Sequence, residues 1–173
     1  EAGALDGSVP VLVGTGLREL RSFELSALGG ATLAPAQLHF GSAVRAATPV
    51  AGPVFTLSNA CAASSYALAL AEDLIRLGQA EIVIAAGADS ITESMFGLLD
   101  RVNPNPPERV QVFDRQRKGV IMGEGAAAVV VESAAHARRR GATPQAILRG
   151  VGLSCDAVHE TAPDVGGILR ALT

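Results

Sequence analysis

The stretch that decides the fold is Pro53-Val-Phe-Thr-Leu-Ser-Asn-Ala-Cys61-Ala-Ala-Ser-Ser-Tyr-Ala-Leu-Ala-Leu-Ala71. It begins with a β-rich apolar run, Val54 to Leu57, and turns through two small polar residues. An alanine- and leucine-rich segment follows, which predicts a helix that runs to about Leu77 and ends at Gly78. The stretch therefore predicts a strand, a turn and a helix, with Cys61 at the junction.

Cys61 is a candidate nucleophile because of this position. The positive end of a helix dipole favours a thiolate, and a thiolate is the reactive form of cysteine. Its neighbours Ala60, Ala62 and Ala63 are small enough for a bulky acyl group to approach. Most free cysteines, however, are small buried hydrophobic residues. Spacing alone leaves both interpretations of Cys61 open.

Composition limits the class of protein. The chain has 173 residues, 49% of them apolar and only 3% aromatic, which is typical of an α/β domain with tightly packed helices. The net charge is −3 and no basic patch indicates a nucleic-acid partner. The basic run Arg138–Arg140 precedes Gly141, where cations favour the end of a helix, so we expect a solvated helix end there.

Cysteine count and hydropathy predict the compartment. Two distant cysteines do not suggest a disulfide framework, and a reducing compartment is then expected. We expect no signal peptide and no membrane-spanning segment, and therefore a cytoplasmic protein without membrane contacts. The chain has no C-x-x-C motif and no histidines paired at helical spacing, so no metal site is predicted.

The remaining pattern predicts alternating strands and helices. Residues 91–112 are expected to be rich in loops, since Asn103-Pro-Asn-Pro-Pro107 cannot form regular structure. Two strands would then be joined without a helix, which predicts a mixed, mainly parallel sheet with helices packed against it. The other predicted elements are strands over 9–13, 81–87, 126–132 and 146–153, helices over 17–28, 133–140 and 166–173, a turn at Gly14-Thr-Gly16, and a weakly patterned segment over 31–52.

Four motifs, in matching order, resemble those of the β-ketoacyl synthases (ketosynthases) of the thiolase superfamily. Leu57-Ser-Asn-Ala-Cys61-Ala-Ala-Ser resembles the nucleophile motif, and Ala86–Asp89 is similar to the glycine-rich strand end that follows it. Residues 113–126 resemble the family's F-D-x-x-R-x-G-x-x-x-G-E-G-A block. Residues 154–163 are similar to S-x-D-A-x-H-x-T-x-P. The resemblance covers about residues 9–173.

The resemblance implies a thiolase-like fold and acyl transfer from a carrier-bound thioester. Cys61 would attack the thioester and hold the acyl group, and its backbone N–H would contribute to an oxyanion hole. In the family, two histidines then assist decarboxylation of a malonyl thioester, whose carbanion attacks the acyl group. His39, His136 and His159 do not match those histidines, which belong to motifs beyond Thr173.

The resemblance also implies binding residues. Asp156, Thr161 and His159 match positions along the tunnel for the phosphopantetheine arm of an acyl carrier protein, and Thr161 is the best candidate for a hydrogen bond to it. Phe96 is aligned with an aromatic residue of the acyl pocket. Glu124 would have a structural role, holding a turn near the active site. No bound cofactor is expected, since phosphopantetheine arrives as part of the substrate.

Residues 1–173 are predicted to form a partial β-ketoacyl synthase domain, mainly the N-terminal half with the nucleophile. The chain would be a fragment, the resolved portion of a longer protein, or one part of a split enzyme. Half of a thiolase-like fold exposes an apolar face, which we expect a partner chain or a missing segment to cover. Residues 50–60 would lie near the two-fold axis of a homodimer, or of a heterodimer with a related ketosynthase or chain-length factor.

Three functions remain open on this resemblance. The first is a condensing enzyme of fatty-acid or polyketide biosynthesis. The second is an acyltransferase of the same fold that transfers without condensation. The third is a non-catalytic, chain-length-factor-like partner subunit. Such partners usually lack the active cysteine, so Cys61 favours an enzyme.

Overall fold

The computed structural model describes residues 8–30, 32–102, 105, 107–159 and 162–173. Within these residues, strands and helices alternate along most of the chain. In chain order the elements are β1 (Val11–Gly14), α1 (Leu20–Ala27), a 3-10 turn (Pro35–Leu38), α2 (Gly41–Ala47), β2 (Val54–Leu57), a second 3-10 turn (Ala60–Ala62), α3 (Ala63–Arg76), β3 (Ile82–Asp89), α4 (Glu93–Val102), β4 (Gly125–Glu132), α5 (Ala134–Arg139) and α6 (Val165–Leu172).

The strands form one mixed sheet in the order β2-β1-β3-β4. β1 is parallel to both β2 and β3, whereas β4 is antiparallel to β3. All of β1 is buried, as expected for a central strand with a continuous apolar sequence. The predicted mixed, mainly parallel sheet is confirmed.

Helix α3 packs against one face of this sheet. Ala63, Ala67 and Ala71 are buried and recur every fourth residue, so they share one side of the helix. Their small side chains let the helix approach Leu12 and Val83, which are both fully buried. Burial of each of these two side chains stabilises the fold by about 1.5–3 kcal/mol.

The other face of the sheet has a second apolar cluster. Val11 and Val13 of β1 lie there with Val50, and Phe40 and Val44 around α2 pack against them. Helix α2 lies within residues 31–52, where the sequence pattern predicted little. Val44 is the only apolar side chain of α2 larger than alanine, so the sequence of the helix has little hydrophobic periodicity. The helix is evident from its packing against β2 rather than from its sequence.

The ends of α3 and α5 agree with the sequence. Gly78 follows α3 with a φ of +69°, a conformation that glycine adopts without strain. Ser133 caps α5, because its Oγ accepts the backbone N–H of His136 at 3.1 Å. The basic run after it is not simply solvated, since Arg139 pairs with Glu81 and Arg140 with Glu132.

Two sequence predictions are wrong. Helix α4 lies inside the region 91–112 that the sequence predicted to be rich in loops. Its own residues include no proline, so the proline-rich segment behind that prediction does not exclude the helix. It separates β3 from β4, which were expected to be joined without a helix. Residues 146–153 form no strand and all are exposed. Their apolar residues predicted a strand, but β2 and β4 are the edge strands of the observed sheet, and residues 146–153 pair with neither.

Apolar surface remains exposed on several segments, including β4. Its residues from Gly125 to Val130 are exposed, including Val129 at 52% and Val130 at 48%. Among the residues that the structure describes, no helix is long and apolar enough to cross a membrane. That a partner chain or a further segment covers β4 stays a prediction.

Candidate functional site

Cys61 lies in the 3-10 turn between β2 and α3. The predicted order of strand, turn, cysteine and helix is confirmed. Its side chain is exposed in the described chain, as is that of Cys155, and both cysteines are free. Within the described chain Cys61 is therefore exposed rather than buried, and its role as a nucleophile stays a prediction.

The residue before Cys61 has an unusual backbone conformation. Ala60 has a φ of +45°, in the left-handed region that residues with a Cβ rarely adopt. Such a conformation costs on the order of 1–3 kcal/mol and persists only where the surroundings hold it. The turn is closed by the backbone N–H of Ala62, which donates to the Asn59 carbonyl oxygen at 3.1 Å. Cys61 is thus presented on a sharp, strained turn.

Two glycines make room for this turn at the end of the sheet. Gly14 ends β1, and its neighbour across the parallel pairing with β3 is Gly87. A Cβ on Gly14 would overlap the carbonyl group of Ala63, and one on Gly87 would overlap the Oγ of Ser64. The first turn of α3 therefore lies directly against the two strand ends, and Cys61 is close to the carboxyl edge of the parallel strands.

Asp89, at the end of β3, organises the loop after β1. Its carboxylate accepts the hydroxyl of Thr15 at 2.8 Å and the backbone N–H groups of Gly16 and Leu17. The predicted turn lies slightly later than expected, since Gly14 is the last residue of β1 and the chain bends from Gly16 onward. The sequence patterns predict no role for Asp89 or Thr15, although an aspartate at the carboxyl end of a buried strand is a signal for a site residue.

Glu124 and Phe96 lie on segments that meet at the start of α4. The Oε2 of Glu124 accepts the backbone N–H of Ile91 at 3.2 Å, which joins the residue before β4 to the residues after β3. This contact suits a structural residue that holds a turn. Phe96 lies on α4 and is 59% exposed, and its assignment to an acyl pocket stays a prediction.

A second carboxylate fixes the same end of α4. Glu24 of α1 accepts the backbone N–H groups of Glu93 and Ser94 at 3.0 and 2.9 Å, and the Ser94 hydroxyl at 2.5 Å. The hydroxyl of Ser94, followed by its backbone N–H, lowers the pKa of the Glu24 carboxyl below its usual value. Helix α4 is therefore tied to α1 by an ionised side chain.

Asp156 and His159 lie together in the loop before α6. The carboxylate of Asp156 accepts the backbone N–H of Asp164 at 2.8 Å and that of Val158 at 3.3 Å. The Asp164 N–H is the main cause that lowers the pKa of Asp156. The Nδ1 of His159 accepts the backbone N–H of Ala162 at 3.1 Å. Thr161 lies outside the described residues.

These contacts bring the predicted site residues together only in part. Cys61 and Glu124 lie on segments at the strand ends, whereas the hydrogen bonds described for Asp156 stay within its own loop. Their roles in binding pantetheine stay predictions. In the part of the chain that the structure describes, no group of three or more histidine, cysteine, aspartate or glutamate side chains is placed to hold a metal ion.

Comparison with known proteins identifies the family. Residues 31–137 match the family model described as "Beta-ketoacyl synthase, N-terminal domain". Nodulation protein E of Rhizobium meliloti is 42% identical over 117 residues, covering 67% of this chain and 29% of that protein. The chloroplastic 3-oxoacyl-[acyl-carrier-protein] synthase I of Hordeum vulgare is 34% identical over 180 residues, covering 94% of this chain and 39% of that protein.

A solved structure agrees with this match. The ishigamide ketosynthase/chain length factor is 30% identical, with a TM-score of 0.77 over 97% of this chain and 45% of that one. The chain thus spans less than half the length of each of these relatives. The matched family segment includes the Cys61 turn, β3 and β4. The fold, the order of its motifs and the position of Cys61 lead to one conclusion: the chain belongs to the β-ketoacyl synthase family.

Proposed function

We propose that this chain supplies the acyl-accepting nucleophile of a β-ketoacyl synthase of fatty-acid or polyketide biosynthesis. The observation that carries the proposal is the exposed Cys61 on a strained turn at the start of α3, within a chain of this family. The substrate would be an acyl thioester on the phosphopantetheine arm of an acyl carrier protein. The name of the Hordeum vulgare relative, which includes that carrier, supports this substrate class.

In the first step, the Cys61 thiolate attacks the thioester carbonyl carbon. A new bond forms between Cys61 sulfur and the acyl carbon, the old carbon–sulfur bond breaks, and the pantetheine thiolate leaves and takes up a proton. Negative charge collects on the carbonyl oxygen in between. The backbone N–H of Cys61, beside the positive end of α3, would stabilise that charge in an oxyanion hole.

In the second step, a malonyl thioester loses carbon dioxide and its carbanion attacks the acyl group on Cys61. A carbon–carbon bond forms, and the Cys61 thiolate leaves. The histidines that the family uses for this step match no histidine of this chain, so we place them elsewhere in the polypeptide or on a partner. Separately, we propose that the chain forms a dimer with a second copy, a related ketosynthase or a chain-length factor, and the ishigamide relative's description supports the last of these.

Binding of the pantetheine arm is proposed for the loop before α6. Asp156 shapes that loop by accepting two backbone N–H groups, and Asp156, His159 and Thr161 would line the path of the arm. Phe96 would face the acyl chain. The cytoplasm is the proposed location, and the free, exposed cysteines are compatible with a reducing compartment.

The test is product formation by the full natural polypeptide. Acyl-carrier and malonyl-carrier thioesters are supplied together, and the β-ketoacyl-carrier product is measured by mass spectrometry for wild type, Cys61→Ala and the matched control Cys155→Ala. We expect product from wild type and from the control, and none from Cys61→Ala. Acyl transfer to Cys61 without product would indicate the acyltransferase alternative. Product from Cys61→Ala would refute the proposal.

A further inference from the structure

We propose that Asp89 is a positioning residue for Cys61, acting through the loop that follows β1. The inference rests on the proposed function, since it concerns how the nucleophile is held. The hydrogen bonds of the Asp89 side chain go to Thr15, Gly16 and Leu17 and not to Cys61. It instead fixes the loop against which the strained Ala60–Cys61 turn lies.

The carboxylate of Asp89 gathers three consecutive residues. Its Oδ1 lies 2.8 Å from the Thr15 hydroxyl, 3.0 Å from the Gly16 N–H and 2.9 Å from the Leu17 N–H. Its Oδ2 lies 3.1 Å from the same Gly16 N–H. Hydrogen bonds to an ionised acceptor are about twice as strong as neutral ones, so this one side chain determines the path of the loop.

Thr15 extends the connection to the neighbouring strand. It is only 1% exposed, and its backbone N–H donates to the carbonyl oxygen of Leu57, the last residue of β2, at 2.9 Å. Its hydroxyl oxygen also accepts the backbone N–H of Arg18 at 2.9 Å. The loop is therefore tied both to β3, which carries Asp89, and to β2, which leads into Cys61.

Gly16 is the point where this loop meets the nucleophile turn. A Cβ placed on Gly16 would lie 3.4 Å from the carbonyl oxygen of Ala60 and 3.5 Å from Oδ2 of Asp89. Gly16 is thus packed between the carboxylate and the residue before Cys61. Ala60 has a left-handed φ that needs support from its surroundings. Asp89, through Gly16, supplies part of that support.

An electrostatic role and a positioning role of the Asp89 carboxylate lead to opposite expectations for the Asp89→Asn variant. If the carboxylate acted only as a negative charge, its removal would favour the Cys61 thiolate and would leave alkylation unchanged or faster. If it acts by position, the amide keeps one acceptor oxygen but replaces Oδ2, which accepts the Gly16 N–H, with an NH2 group that repels that donor. The Ala60–Cys61 turn then relaxes, and reactions that need an aligned thiol become slower. The direction of the change therefore separates the two roles.

The experiment uses the full natural polypeptide and follows two rates at Cys61 by peptide-resolved mass spectrometry. One is alkylation by iodoacetamide at fixed pH, and the other is acylation by an acyl-carrier thioester. For Asp89→Asn we expect acylation to fall about tenfold or more, since misplacement of a reacting group by about 1 Å can cost 10²-fold. Alkylation should fall by less, because that reagent needs no aligned carrier.

Three variants control the result. Asp89→Glu keeps the carboxylate and should recover most of the acylation rate. Asp114→Asn is the matched control, because Asp114 also accepts a backbone N–H, that of Gln116 at 2.7 Å, in a different turn. It should react as wild type does. Thr15→Val removes the hydroxyl with little change of shape, and should slow acylation even if Asp89→Asn proves too unstable to assay.

The outcomes distinguish this inference from the proposed function. Wild type that is not acylated at Cys61 would refute the proposed function. If wild type is acylated at Cys61, and Asp89→Asn and Thr15→Val are acylated as fast as wild type, only the positioning role is refuted. A faster alkylation of folded Asp89→Asn would show that the carboxylate acts as a charge, and would also overturn the inference.

Discussion

Gly14 provides the sharpest test of how the nucleophile turn is built. Gly14→Ala places a methyl group on the carbonyl group of Ala63, which is backbone in the first turn of α3 and cannot rotate away. Overpacking of a core costs about 1–3 kcal/mol. Because backbone must move in this case, we expect a loss at the upper end, about 2–3 kcal/mol of unfolding free energy.

Two other glycines give a graded comparison. Gly87→Ala meets the Oγ of Ser64, a side-chain atom that can rotate, so we expect a smaller loss of about 1 kcal/mol. Gly97 lies inside α4 with nothing within 4 Å of an added Cβ. Gly97→Ala should therefore stabilise the protein by about 0.5–1 kcal/mol, the usual preference for alanine in a helix.

The assay is urea denaturation of the full polypeptide, followed by circular dichroism, with the midpoint and slope compared between variants. The expected order of stability is Gly97→Ala, wild type, Gly87→Ala, Gly14→Ala. Ser64→Ala should relieve part of the Gly87→Ala defect, a coupling that a double-mutant cycle measures. A Gly14→Ala protein as stable as wild type would refute the close approach of α3 to the strand ends.

The remaining predictions concern the core and two carboxylates. Leu12→Ala should lower the unfolding free energy by about 3–4 kcal/mol in the same urea assay, because it leaves a cavity beneath α3, and a loss below 1 kcal/mol would contradict the core assignment. The hydrogen bond from Arg140 is the main cause that lowers the pKa of Glu132 from 4.5 to about 2. The ionised Glu132 side chain therefore stabilises the fold above pH 4.5 and loses this effect as the pH falls through 2. The unfolding free energy of Glu132→Gln should then change less with pH between those values than that of wild type, and an identical pH dependence would refute this role of Glu132. Glu24→Gln should speed amide hydrogen exchange at Ser94 and through the first turn of α4, and unchanged exchange there would contradict the capping role of Glu24.

The strands next to the nucleophile could be predicted from local sequence. β2 matches its predicted bounds, because Val54–Leu57 is a short apolar run between turn residues. β3 and β4 were placed within two residues of their observed ends. These segments carry their own pattern, since continuous apolar runs bounded by glycine or charge have few other structures available.

The errors occur where tertiary contacts decide the structure. Helix α4 depends on Glu24, nearly 70 residues earlier, which accepts its first backbone N–H groups. Residues 146–153 have a strand-like composition, but composition does not supply a pairing strand. Ala60 has a left-handed φ, but alanine does not signal this conformation in a sequence as glycine or asparagine would.

The candidate site is likewise predictable from local sequence in some parts and determined by tertiary contacts in others. The position of Cys61 before a helix follows from the strand–turn–helix pattern and the family resemblance. The network of Asp89 and Thr15 joins residues 74 positions apart, so only the fold reveals it. The roles of Asp156, His159, Thr161 and Phe96 come from the resemblance and still need direct tests.

The central claim is that Cys61 accepts the acyl group, and intact mass spectrometry tests it most directly. The natural protein is incubated with an acyl-carrier thioester and weighed before and after, alongside Cys61→Ala and Cys155→Ala. The account predicts one acyl adduct on wild type and on Cys155→Ala, and none on Cys61→Ala. A folded full-length wild type without an adduct, or an adduct that survives Cys61→Ala, would contradict it.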